Sequence, residues 1–190
     1  CNMHQYARSF ADIEPFVVER ASYSLVAFMM DYDALNILYD NSKDAHINDD
    51  IVVTDFEQEI PDMVLTSVPV KNLEGNTVSL KNFNRLVGKL DISLSNADES
   101  ITSIEVNVGN LYDGVSFKGI YSCSDDRPSN KNIKLTKEGN RFTCSTVLMP
   151  SLKETGKVPL VFTVIDDSNA TQYNVGLEGR IVEGKIVSLN

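Results

Sequence analysis

The stretch Leu86-Val87-Gly88-Lys89-Leu90-Asp91-Ile92-Ser93-Leu94 puts Leu86, Leu90, Ile92 and Leu94 on one face. Lys89, Asp91 and Ser93 fall on the other. A period of two is the mark of a β-strand with one wet face. Ile104, Val106 and Val108 repeat the pattern with Glu105 and Asn107 outside, and Val158 to Ile165 forms a further apolar strand. The run Asp166-Asp167-Ser168-Asn169 predicts a turn, from which Thr171 to Leu177 returns. Ile133 to Thr136 and Arg141 to Cys144 flank Gly139 and Asn140, residues that tolerate the positive φ of a hairpin turn. Ile181-Val182 and Lys185-Ile186-Val187 finish the chain.

The N-terminal part reads in the same way. Phe16 to Glu19, Tyr23 to Met29, Ile51 to Val53, Met63 to Val70 and Thr77 to Leu80 are expected strands, and Asp31 to Tyr39 allows a short helix. Short strands separated by turn clusters predict antiparallel sheets packed as a sandwich. A polar, Gly-containing segment, Lys71 to Asn76, marks a boundary. It divides a short or incomplete N-terminal β-domain (1–72) from a C-terminal β-sandwich (73–190) of roughly seven strands.

Composition excludes more than it selects. The chain has 190 residues and a formal net charge of −10 (17 basic, 27 acidic) with 42% hydrophobic residues, the balance of a folded protein. No run approaches the ~20 apolar residues of a membrane-spanning helix. Lys and Arg do not cluster, which argues against a nucleic-acid partner. The acidic run Asp40 to Asp50 lacks the Gly and distal Glu of a calcium loop and reads as solvated. His4 and His46 are the two histidines, and neither sits near a Ser or Cys nucleophile in the sequence. No catalytic residue, metal ligand or cofactor is therefore expected, and the chain reads as non-enzymatic.

Three cysteines stand in different contexts. Cys1 opens the chain, as the lipid-carrying cysteine of a bacterial lipoprotein does; alternatively, residue 1 only marks where a fragment starts. If Val115 to Cys123 is one strand, Cys123 shares a face with Val115, Phe117 and Tyr121. Cys144 shares one with Phe142 and Leu148. The two thiols could then form a disulfide or stay buried and free.

Particular residues resemble those of a known family. The run Val78-Ser79-Leu80-Lys81-Asn82-Phe83-Asn84-Arg85-Leu86-Val87-Gly88-Lys89-Leu90-Asp91-Ile92 resembles the opening strand of the second domain in type V (Bacteroidia-type) fimbrillins. Ile101 to Val108 and Phe117 to Tyr121 continue the likeness, as do Ala21 to Phe28 and Ile60 to Ser67 upstream. The resemblance spans most of residues 15 to 125. It implies an all-β chain of two transthyretin-like antiparallel β-sandwich domains, the first short or incomplete. It also implies an exported lipoprotein of the outer membrane surface or fimbrium, serving as a pilus shaft, tip or anchor subunit. Its partners would be other fimbrial subunits joined by strand addition, and host or bacterial surface receptors. Membrane contact would come only through a lipid on Cys1, and proteolytic processing would fall after Arg8. A surface lipoprotein that binds a glycan or peptide through its loops is the competing expectation.

Overall fold

The structure is a computed structural model and describes residues 5–15, 17, 22–30, 50–52, 59–70, 78–154 and 156–190. The expected boundary at Lys71 to Asn76, the short helix at Asp31 to Tyr39, and most of Phe16 to Glu19 lie outside the described residues. The described fold is β, apart from one 3₁₀ turn at Phe10–Asp12.

Two four-stranded sheets form the sandwich. One has the order β10-β11-β5-β14, built from Thr136–Glu138 (β10), Arg141–Leu148 (β11), Gly88–Leu94 (β5) and Ile186–Leu189 (β14). The other has the order β13-β12-β6-β9, built from Ala170–Glu178 (β13), Lys157–Asp166 (β12), Ile101–Leu111 (β6) and Ser129–Lys134 (β9). The faces predicted by alternation meet between them. Leu90 and Ile92 from β5 pack with Val106 and Val108 from β6, Leu160 and Phe162 from β12, and Phe142 from β11. Phe142, Leu90, Val108 and Leu160 are fully buried.

Three details depart from the expectations. First, the antiparallel rule is broken at the C-terminus, where β14 runs parallel to β5, with Val187 opposite Leu90 and Leu189 opposite Ile92. These strands lie far apart in the chain, so no hairpin imposes an antiparallel sense. Second, Ile133 to Thr136 is not one strand. The chain changes sheet at Leu135: β9 pairs with β6, with Ile133 opposite Val106, whereas β10 pairs with β11. Ile133, Leu135 and Phe142 nevertheless share the core, because the crossover runs along its edge. Third, Val115 to Cys123 is a hairpin of Gly114–Ser116 (β7) and Tyr121–Ser122 (β8), turning through Gly119 at φ 74°. The turn breaks the alternation that put Cys123 on a core face.

The remaining elements surround a second core. Tyr23–Met29 (β1) pairs along its whole length with Val64–Val70 (β3), which also pairs with the two-residue Asn84–Arg85 (β4). Asp50–Val52 (β2) pairs with β7. Val78 to Leu80, expected as a strand, carries no regular structure. This core joins Ile60, Met63 and Leu65 from before residue 72 to Leu86, Val87, Val115 and Met149 from after it. Phe28 meets Phe117 edge-on at 5.6 Å between ring centroids.

The two regions are stitched together at the start of β5. Ser151 bonds the backbone of Ile181 in both directions, its N–H donating to the carbonyl at 3.0 Å and its Oγ accepting from Ile181 N–H at 3.1 Å. Gly88 lies so close to this segment that a Cβ would stand 2.7 Å from the Val182 carbonyl oxygen and 2.8 Å from Ile181 Cγ2. Backbone cannot yield as a flexible side chain can. Gly88→Ala is therefore expected to lower unfolding stability by about 1–3 kcal/mol, read as a lower urea midpoint at unchanged slope. Phe142→Ala removes the largest fully buried side chain among the described residues and is expected to cost about 3–5 kcal/mol in the same measurement.

Candidate functional site: the open edge of the sandwich

The single-residue crossover at Leu135 joins β9 to β10, so these two edge strands close one side of the sandwich. Their counterparts, β13 and β14, are the edge strands at the other end of the two sheets. They are unequal, because β13 has nine residues and β14 has four. Val187 and Leu189 of β14 and Leu177 of β13 reach the core. The rest of β13 is exposed.

Register shows what is left open. Tyr173 is opposite Phe162, Val175 opposite Leu160, and Leu177 opposite Val158. Directly opposed residues of a sheet share a face, so Tyr173 and Val175 belong to the face that elsewhere lines the core. They are nonetheless 55% and 40% exposed. Eight of the nine β13 residues are exposed, against none of the fully buried Val158 and Leu160 beside them. Among the described residues, no strand neighbours the other flank of β13. An edge of this kind offers a row of backbone donors and acceptors next to an apolar strip.

Charge marks the same strand. From Ala170 to Leu177 it carries no side chain that is charged at neutral pH, and its last residue, Glu178, pairs with Lys157 of β12. The other edges of the sandwich are protected. β9 contains Lys131 and Lys134, β10 has three residues including Lys137 and Glu138, and β14 is short. Native edges commonly carry lysine or stay short to prevent pairing. The turn at Asp166 to Asn169 predicted Thr171 to Leu177 as a returning strand, but only the pairing of the other seven showed that it is an edge.

A second feature is a shallow cleft of about 200 Å³ beside β5, with Arg85, Lys89, Lys185 and Ile186 along it. Arg85 is paired with Asp62 at 2.6 Å and Lys89 with Asp91 at 3.2 Å. Its volume is below the ~300 Å³ where small-molecule sites begin. Asp91 itself is held below the ordinary carboxylate range, first by the hydroxyl of Ser145 donating at 2.7 Å and then by Lys89. The group stabilises the outer face of the sheet.

One buried carboxylate had no signal in the sequence. Asp113, 5% exposed, accepts from Ser124 N–H at 2.8 Å, Ser124 Oγ at 2.6 Å and Ser129 Oγ at 3.0 Å. It organises the loop that follows β8. Among the described residues no group of three His, Cys, Asp or Glu side chains is placed to hold a metal ion.

The residues singled out from the sequence are not brought together. Cys1, His4, His46 and nearly all of Asp40 to Asp50 lie outside the described residues. Arg8 is exposed in a bend, beside a loop tied by Gln5 Nε2 donating to the Glu14 carbonyl at 2.8 Å and Glu14 N–H donating to Gln5 Oε1 at 2.9 Å. Cys144 packs against the sandwich core, whereas Cys123 sits in the Asp113 loop, and both thiols are free. Burial pushes both thiols up, and for Cys123 the carboxylates of Asp113 and Asp126 push further.

The fold is found in solved structures, two of which are informative. A candidate adhesin of Bacteroides ovatus superposes with a TM-score of 0.55 at 14% identity, over 91% of this chain and 73% of that one. A candidate adhesin of Bacteroides thetaiotaomicron superposes with a TM-score of 0.50 at 9% identity, over 85% of this chain and 61% of that one. The chain thus has the β-sandwich fold of Bacteroides adhesin structures and spans part of their length. No protein-family model matches it, and no curated protein is significantly similar.

A cysteine whose thiol is pushed up stays neutral, and is a weak nucleophile, until the pH exceeds the raised value. Alkylation of Cys123 and Cys144, mapped by peptide mass, is expected to be slower at pH 8 than that of an unhindered cysteine. It should accelerate at higher pH, and Asp113→Asn should speed the reaction at Cys123. Recovery of a Cys123–Cys144 linked peptide without reductant would overturn this assignment.

Proposed function

We propose that the protein is a non-enzymatic cell-surface adhesion subunit that joins its neighbours by β-strand addition at β13. The observation that carries this reading is the nine-residue exposed edge, uncharged from Ala170 to Leu177, with Tyr173 and Val175 uncovered beside it. An incoming strand satisfies the unpaired backbone groups and covers the apolar strip in one step. The adhesin structures that share the fold support an adhesive role. The likeness of Val78 to Ile92 to fimbrillin sequence supports a pilus shaft or anchor subunit of the outer membrane surface. On this reading the exposed Arg8–Ser9 bond is a processing site, and surface receptors are reached through the loops.

The C-terminal segment is not the donor within its own copy, because Ile186–Leu189 is already the last strand beside β5. A donor must come from elsewhere. In the cells that make it, the protein is expected to be cut by externally added protease, and its deletion should reduce adherence. Val175→Lys should leave the protein on the surface while removing it from assembled structures. Protection from external protease, or unchanged adherence after deletion, would refute the reading.

A further inference from the structure

We propose that the partner of β13 is β13 of a second copy of this chain, paired antiparallel about a two-fold axis at Asn174. This rests on the strand-addition reading and specifies its occupant. The two sheets β13-β12-β6-β9 would then become one sheet of eight strands.

Charge favours this edge. Two copies, each with a net charge of −10, repel wherever carboxylates face one another. The run Ala170 to Leu177 brings none, and in the register centred on Asn174 the terminal Glu178 meets the partner's Ala170. No like charges are opposed along the seam.

Side-chain chemistry favours the same register. It pairs all nine residues, and it keeps the inner face of one copy continuous with the inner face of the other. Tyr173 stands opposite the partner's Val175, and Thr171 opposite the partner's Leu177. Phe162 lies beside Tyr173 and Leu160 beside Val175 in each copy. One apolar row therefore runs Phe162, Tyr173, the partner's Val175, the partner's Leu160. A slip of one residue would continue that row into the polar outer face, since side chains alternate. On the outer face Asn174 meets the partner's Asn174, and each amide can both donate and accept. The interface is self-complementary, as a two-fold contact must be.

The wild-type chain is expected to sediment as a dimer, with concentration-dependent protection of β13 amides in hydrogen exchange. Asn174→Lys and Asn174→Glu each oppose like charges across the axis and should weaken self-association roughly fivefold or more. An equimolar mixture of the two should restore a heterodimer. Circular dichroism checks that both variants fold, and the exchange measurement decides on the wild-type chain alone if one does not. A wild-type chain that stays monomeric at every concentration would overturn the proposal. Association that is unchanged in both variants would also overturn it, while leaving strand addition by another partner standing.

Discussion

Burial of one face of each of two four-stranded sheets is the constraint on which the molecule depends. Leu90, Ile92, Val106, Val108, Leu160 and Phe162 can leave water together only if β5, β6 and β12 each hold one register. A slip by one residue would turn every one of those side chains outward. The register then dictates the rest. Lys89, Asp91 and Ser93 fall outside with Ser145, and Leu135 crosses from one sheet to the other without leaving the core. The penalty for losing a single buried side chain of this size is about 2–5 kcal/mol for a large aliphatic residue. Few registers survive it.

The same constraint generates the open edge. A sandwich is finished only where both sheets are equally wide and long. At the β9/β10 side the chain passes directly between the sheets, and short or lysine-bearing strands close it. At the other side the two edge strands have nine and four residues. The uncovered part of β13 keeps its core-facing residues, because its pairing with β12 leaves no choice of face. Tyr173 and Val175 are exposed as a consequence of topology. That mismatch leaves edge backbone groups and apolar side chains open at the same place, the combination that strand addition uses.

Strand identity was largely legible in residues. Tyr23–Met29, Gly88–Leu94, Ile101–Leu111, Lys157–Asp166 and Ala170–Glu178 all carry the alternation or the apolar run that announces them. Failures came where a local pattern spans a change of direction. Val115, Phe117 and Tyr121 share parity in sequence and also share a core, yet Gly119 turns the chain between them. Parity survived by coincidence of the hairpin, and Cys123, beyond it, did not follow. Ile133 and Leu135 likewise keep one face while changing sheets. Nothing in Asp113 or in the serines at 124 and 129 announces a buried carboxylate, since their sequence separation is bridged only by the fold.

What the sequence determined is a chemistry of faces: an acidic all-β chain whose strands each have one wet and one dry side. It determined this because alternation is a local property, set by the two-residue repeat of the strand. Which strands are interior and which are edges was decided only in three dimensions, by pairings between residues as distant as Leu90 and Val187. The parallel sense of β14, the contact that requires glycine at 88, and the exposure of Tyr173 follow from those pairings. An edge is the absence of a neighbour, and neighbours are not written in any one strand.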